Sequence, residues 1–424
     1  MDELTTATKQ YRPQLEAVRE AKERISKVTL LTPLASSFTY SRKFNANIFL
    51  KREDLQQVRS YKIRGAYNKI SSLPKDQLNK GVICASAGNH AQGVAFACNK
   101  LQTKGVIYMP VTTPRQKVEQ TQMFGGEWVE VVLKGDTFDD SYKQAVVHGL
   151  EKSLVFIHPF DDPKVIEGQA TIALEILEQA GAPIDYVFAP LGGGGLLAGL
   201  SSVFKQLSPQ TKVIGVEPEG AASMTASLQE GKVVELQTIE RFVDGAAVQK
   251  VGAINFDLCR ANLHQMLSIP EGKICQTILD LYNQDAIVAE PAGAMALAAL
   301  DLFSEEIEGK NVVCILSGGN NDITRTAEIK ERALLYSGLK HYFIVRFPQR
   351  AGALKEFVET VLGPNDDITH FEYSKKHHRE NGPAVVGIEL KDAEDFAPLV
   401  QRMKDYNFYG QYLNDSPDLF QFLV

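Results

Sequence analysis

Four consecutive glycines, Gly192, Gly193, Gly194 and Gly195, separate an apolar run, Tyr186 to Pro190, from a stretch of helical periodicity, Leu197 to Leu207. Bare N–H groups at the start of a helix, backed by its dipole, make an anion site that suits a phosphate. A flexible linker shares the composition, but a linker does not sit between a buried strand and an amphipathic helix. The run has neither the Gly-x-Gly-x-x-Gly spacing of a dinucleotide fingerprint nor the Gly-Lys-Ser/Thr end of a Walker loop. The phosphate therefore belongs to another kind of cofactor.

Three further segments carry groups that could work beside it. Ser86-Ala87-Gly88-Asn89-His90-Ala91-Gln92-Gly93 follows the apolar run ending at Ala85. Small residues at a helix start leave N–H donors for a carboxylate and Asn89 adds an amide, although Ser86 or Asn89 could equally serve as a helix cap. Ser317-Gly318-Gly319-Asn320 follows another buried run, and the Ser317 hydroxyl can bond a ring nitrogen without bearing charge, as an ordinary turn serine also could. In Ser60-Tyr61-Lys62-Ile63-Arg64-Gly65-Ala66-Tyr67 the lysine opens a helical stretch. The positive end of the helix helps keep such an amine neutral and nucleophilic, whereas the ordinary role of a lysine is a solvated surface charge.

These turns need a scaffold, and the chain between about Asn47 and Asn320 supplies one by repetition. Short β-branched runs (Val82 to Ala85, Val106 to Met109, Tyr186 to Pro190, Val213 to Val216, Val312 to Leu316) alternate with helical segments. Continuous apolar strands alternating with helices predict parallel α/β sheets, whose ligands lie at the C-terminal ends of strands, just after Ala85, Pro190 and Leu316. A charged stretch, Asp322 to Arg332, predicts a helix leaving this region, and Ser337-Gly338 a joint. Beyond it the rhythm changes. Alternation at Phe343, Val345 and Phe347, a helix face at Leu354, Phe357, Val358, Val361 and Leu362, strands at Ile368 to Tyr373 and Val386 to Leu390, a second helix through Phe396, Leu399, Val400 and Met403, and a final strand at Leu419 to Val424 give the order βαββαβ. That order folds as an antiparallel α+β sheet with both helices on one face.

The composition excludes several classes. With 424 residues the chain should form more than one structural unit. Its 45 basic and 52 acidic residues give a net charge of −7 without blocks of one sign, which disfavours nucleic acid as a partner. Five widely spaced cysteines in apolar surroundings read as buried thiols of a reducing compartment. No apolar stretch reaches the ~20 residues of a membrane span and the N-terminus has no signal-peptide core, so a soluble cytoplasmic protein is expected.

Taken together, Lys51-Arg52-Glu53-Asp54, Ser60 to Tyr67, Ser86 to Gly93, Gly192 to Leu196, Glu290-Pro291-Ala292-Gly293-Ala294 and Ser317 to Asn320 resemble, in order, the motifs of the tryptophan-synthase-β-like (fold type II) enzymes that use pyridoxal 5'-phosphate, and within them the threonine dehydratases. The resemblance implies a catalytic domain of two parallel-sheet subdomains over 1–336, the smaller at roughly 55–160. It implies that Lys62 bonds covalently to the cofactor, that Asn89 meets the ring hydroxyl oxygen, that Gly192, Gly193, Gly194 and Gly195 hold the phosphate, and that Ser317 faces the pyridine nitrogen. Ser86, Ala87, Gly88, Asn89 and His90 would receive the substrate carboxylate, with Glu290 as a supporting group. The implied reaction is elimination from L-threonine to 2-oxobutanoate and ammonia, the first step towards isoleucine; the alternative is a catabolic serine/threonine dehydratase.

Related serine racemases carry a serine where this chain has Ala87, so the resemblance implies poor racemisation. Their cation site is matched by Glu217 and Ala221 but not by Ser223, so no metal is expected. Residues 337–424 resemble the ferredoxin-like, ACT-like regulatory domain of biosynthetic threonine dehydratases through Phe347 to Leu354 and Ile368 to Tyr373. This implies an isoleucine or valine effector near Gly352, Leu354 and Tyr373, and a homotetramer as the assembly through which control acts; an oligomerisation module without ligand is the alternative.

Overall fold

The apolar runs expected as strands form strands: Val82–Ala85, Gly105–Met109, Tyr186–Pro190, Lys212–Pro218 and Asn311–Leu316. The computed structural model describes residues 11–373 and 381–423. By compactness the chain divides into Met1–Ile323 and Thr324–Val424.

The first unit contains two sheets. The larger has six strands in the order Leu34–Ser36, Asn47–Arg52, Asn311–Leu316, Tyr186–Pro190, Lys212–Pro218, Gln265–Ile269, parallel except for the first pair. The smaller runs Val129–Leu133, Gly105–Met109, Val82–Ala85, Val155–Phe156 and is parallel throughout. Helices cover both faces, which is why Val82–Ala85 is buried along its whole length and residues 312–316 expose nothing.

Helix Pro163–Gln179 starts sharply because Asp162 accepts the Lys164 and Val165 N–H groups and Pro163 occupies the first turn. It packs on helix Gly195–Leu207 and on helix Lys62–Ser71. The second packing is close at Gly168, where a Cβ would lie 2.6 Å from the Arg64 carbonyl oxygen. Lys62 thus stands at the first position of a helix seated firmly on the larger half.

The second unit has the antiparallel order Asp367–Tyr373, Asn381–Glu389, Lys340–Pro348, Tyr409–Tyr412, with helices Ala353–Thr360 and Phe396–Asp405. This is the βαββαβ order, with one correction. The last strand is Tyr409–Tyr412, not Leu419 to Val424; Pro417–Leu423 is a helix. The Phe420 N–H bonds to the Ser416 carbonyl, and its ring meets Tyr342 edge-on at 5.2 Å, so the apolar residues there dock a helix. Tyr409 and Tyr412 instead pair beside Val345 and Phe343. Helix Thr326–Tyr336, expected at Asp322 to Arg332, falls in this second unit: Tyr342 Oη donates to Glu331 at 2.6 Å, and Lys330 lies 3.7 Å from Glu389. Among the described residues no helix is long and apolar enough to cross a membrane.

Candidate functional site

Lys62 follows Tyr61, whose N–H donates to the Ser317 carbonyl at 3.1 Å, while Ser60 bridges Gly318. The turn after strand Asn311–Leu316 therefore holds the residues just before Lys62. The Lys62 ammonium donates to the Pro159 carbonyl at 3.2 Å and lies 5.3 Å from the Tyr61 ring centre. Burial lowers its pKa to about 8, with Glu290 pulling the other way. A substantial neutral fraction near pH 7 makes the amine available as a nucleophile or base.

The pocket in front of Lys62 is walled by Tyr61, Phe160, Pro190, Gly192, Gly193, Gly194, Gly195, Leu196 and Gly245. The tetraglycine turn leads into helix Gly195–Leu207, as its position in the sequence predicts, and Gly194 has φ +92°, a conformation that penalises side chains. At Gly193 a Cβ would sit 2.2 Å from the Phe160 ring. The turn is bare because there is no room for anything else.

In the smaller-sheet region, Asn89 opens helix Asn89–Leu101; the capping position is Gly88, with no side-chain cap, so neither Ser86 nor Asn89 is used that way. The Asn89 amide donates to Glu290 Oε1 at 2.6 Å, and its oxygen lies 2.7 Å from Asn320 Nδ2. Ser86 Oγ accepts the Gly88 N–H at 3.3 Å, Ala87 and Gly88 complete the turn, and His90 Nε2 is 3.0 Å from the Ile157 carbonyl. Burial, with Lys62 nearby, lowers His90 to about 3, so it is neutral. Ser317 is buried, its hydroxyl 3.4 Å from the Ala292 carbonyl. Glu290 is buried at the start of helix Pro291–Ala298, and burial followed by the charge of Asp244 raises it to about 7.

Several residues of this arrangement escaped the sequence reading. Phe160 fills the space facing Gly193; Asp161 accepts the N–H groups of Ala253 and Ile254 at 3.0 and 3.1 Å; Asn255 Nδ2 donates to the Gly193 carbonyl at 2.8 Å. Together they brace the glycine turn from a loop before helix Pro163–Gln179 and from the first turn of helix Ala253–Asn262, and only the side-chain types near a helix start, Asp and Asn, hinted at them. Glu217 accepts the Met224 and Thr225 N–H groups at 2.6 and 2.9 Å, and so caps helix Ser223–Glu230. Burial raises Glu217 to about 7. In the second unit Gly352 has φ +83° at the start of helix Ala353–Thr360, and Leu354 and Tyr373 are exposed.

The site suits an aldehyde cofactor with a phosphate tail. It offers a neutral-leaning amine, a turn of bare N–H groups that side chains would fill, and buried polar atoms without partners, Ser60 Oγ, His90 Nδ1 and Asn255 Oδ1.

The comparisons agree with this chemistry. Residues 25–318 match the family described as Pyridoxal-phosphate dependent enzyme, and residues 331–423 match the C-terminal regulatory domain of Threonine dehydratase. The chain is 56% identical over 411 residues to the L-threonine dehydratase biosynthetic IlvA of Halalkalibacterium halodurans, covering 97% of this chain and 99% of that one. It is 53% identical over 411 residues to the protein of the same name from Bacillus subtilis, covering 97% of each. Among solved structures it resembles the processed form of threonine deaminase isoform 2 from Solanum lycopersicum, with a TM-score of 0.71 and 41% identity over 76% of this chain and 95% of that one.

Proposed function

The chain belongs to the pyridoxal-phosphate-dependent enzyme family, and from that premise we propose that it is a biosynthetic threonine dehydratase whose lysine at 62 performs the elimination. Its reaction converts L-threonine to 2-oxobutanoate and ammonia. The observation that supports Lys62 most is its place: a buried amine, lowered to about 8, on the wall of a pocket whose other side is the tetraglycine turn.

When bound, the cofactor supplies an aldehyde and a ring that withdraws the electron pair left at the substrate α-carbon. The protein does the rest. Gly192 to Gly195 hold the phosphate through backbone N–H groups, and the Ser86 to His90 turn receives the substrate carboxylate at the start of helix Asn89–Leu101. Lys62 Nζ takes the α-proton, its pKa lowered by burial and by the positive end of its own helix. Asn89 is oriented by Glu290 and Asn320 so that its amide meets the ring hydroxyl oxygen. Ser317 presents a neutral hydroxyl to the ring nitrogen, which limits electron withdrawal and favours prompt elimination.

Gly193→Ala tests the phosphate site. Its methyl would overlap the Phe160 ring, and overpacking of this kind costs about 1–3 kcal/mol. Titration of the apo-protein with pyridoxal phosphate is expected to show affinity reduced roughly five- to 150-fold. Unchanged affinity would remove the glycine turn from the phosphate.

The second unit binds an amino-acid effector, for which isoleucine is the proposed inhibitor and valine its antagonist, next to Gly352, Leu354 and Tyr373. The support is the positive φ of Gly352 at a helix start and the exposed apolar side chains beside it. A homotetramer in a reducing cytoplasm is the proposed form; the five buried free cysteines support the compartment, and effector control through symmetric states supports the assembly. The test measures 2-oxobutanoate formation with and without isoleucine. Isoleucine should slow the wild type at least about fivefold and should lose its effect in Gly352→Val, with uninhibited turnover retained. Equal inhibition of both chains would move the effector elsewhere.

A further inference from the structure

Helix Arg115–Gly125 belongs to the smaller sheet, where Val118 and Phe124 pack into its core. Yet Lys117 on this helix forms an ion pair with Asp244, which lies in the larger half beside buried Val243 and Ala246. The loop that carries Asp244 borders the pocket. Gly245 lines it, a Cβ there would be 2.9 Å from Ala292 Cβ and 3.9 Å from Glu290 Oε1, and Ala246 lies against Gly192. One turn beyond Lys117, Gln120 accepts the Gln92 amide at 3.0 Å. Gln92 Oε1 is 2.9 Å from Asn320 Nδ2, which contacts Asn89, which donates to Glu290. A single helix of the smaller half therefore reaches Glu290 by two routes, one through the Asp244 loop and one through Gln92, Asn320 and Asn89.

Resting on the reading of this pocket as the cofactor site, we propose that Lys117 and Asp244 form a clasp across its mouth, positioning residues that hold the Val243–Ala246 loop over Glu290 and present it with one charge of each sign. The charges that act on Glu290 are Asp244 on the bordering loop, which favours its protonated form, and Lys117 and Lys62, which favour the carboxylate; Tyr61 also faces it. The two members of the clasp thus oppose each other at Glu290 while cooperating in holding the loop. A contact that merely stabilised the fold would not separate these effects.

The experiment uses the holoenzyme and pH-difference infrared spectroscopy, with the carboxyl band that Glu290→Gln removes as the reporter. In the wild type this band should titrate above the ordinary carboxyl range. Asp244→Asn should move its midpoint down, and Lys117→Met should move it up, each by roughly 0.5–1 pH unit. Both variants should raise KM for threonine about fivefold, and the exchanged pair, Lys117→Asp with Asp244→Lys, should return KM to within about twofold of the wild type. Midpoints that move in the same direction or not at all, or no recovery in the exchanged pair, would overturn the clasp, as would absence of a band assignable to Glu290. Borohydride labelling of Lys62 in the same wild-type preparation tests the cofactor reading by itself, so the two failures are distinguishable.

Discussion

Lys62→Arg is expected to lower threonine turnover by at least about 10³-fold while leaving the protein folded, because a positioned acid or base contributes roughly 10²–10⁴ and the guanidinium can neither lose its proton nor bond covalently to the cofactor. The substitution keeps length and positive charge at the start of helix Lys62–Ser71 and so isolates proton transfer and covalent bonding from electrostatics. Borohydride reduction should attach a pyridoxyl group to residue 62 of the wild type and nowhere in the variant. Burial lowers the Lys62 ammonium to about 8, so at pH 7 roughly a tenth of the apo-protein has a neutral amine there. Reconstitution of the wild type should accordingly speed up as pH rises and level off above about 8. A variant with more than a few per cent of wild-type turnover, or a wild type labelled at another lysine, would end the assignment of Lys62.

What could be read in the sequence was whatever depends on local pattern. The glycine turn was legible because four glycines between an apolar strand and an amphipathic helix leave few structural choices, and the strands were legible because burial on both faces produces unbroken apolar runs. Asn255 and Asp161 were not legible: they lie far from the glycines along the chain, and only the tertiary fold brings their side chains to the Gly193 carbonyl and the Ala253 N–H. The final strand failed for a related reason. The nearly unbroken apolar run from Leu419 onwards reads as a short strand, but docking of Phe420 on Tyr342 goes with a helix, while Tyr409-Gly410-Gln411-Tyr412 carries no β-branched signal yet pairs with the sheet. Tertiary contact outweighed propensity in both segments. Lys51 and Glu53 entered only through resemblance to a family, since a charged run at the end of a strand normally reads as a solvated face.

Those two residues belong to a buried charge cluster centred on Arg64. Arg64, two residues after Lys62, is fully buried between two carboxylates: Glu53 at 2.8 Å from both Nε and Nη2, and Glu175 at 2.6 Å from Nη1 and 2.8 Å from Nη2. Lys51, also buried, meets Glu175 at 2.7 Å, and Thr32 Oγ1 bonds Glu53 at 2.5 Å. Two positive and two negative buried groups thus face one another, and they tie the helix of Lys62 to strand Asn47–Arg52 and to helix Pro163–Gln179. Arg64→Met would strip Glu53 of its bidentate partner, leaving it Thr32, Gln56 and the nearby charge of Lys51, at a cost of about 3–5 kcal/mol, which should lower the thermal midpoint of the first unit by roughly 4–7 °C. The pH dependence gives the sign independently. In the wild type burial alone would raise Glu53, but Arg64 and then Lys51 bring it below its ordinary value, so its contribution is present above the unfolded carboxylate pKa and is lost as pH falls through the folded one. In the variant the stranded carboxyl is raised, so its penalty is greatest at neutral pH and disappears as acidification protonates it. The stability gap between the two proteins, followed by urea denaturation from pH 7.5 to pH 5, should therefore narrow as pH falls. A gap that stays constant or widens would show that Arg64 acts through packing and that the buried charges do not hold the Lys62 helix in place.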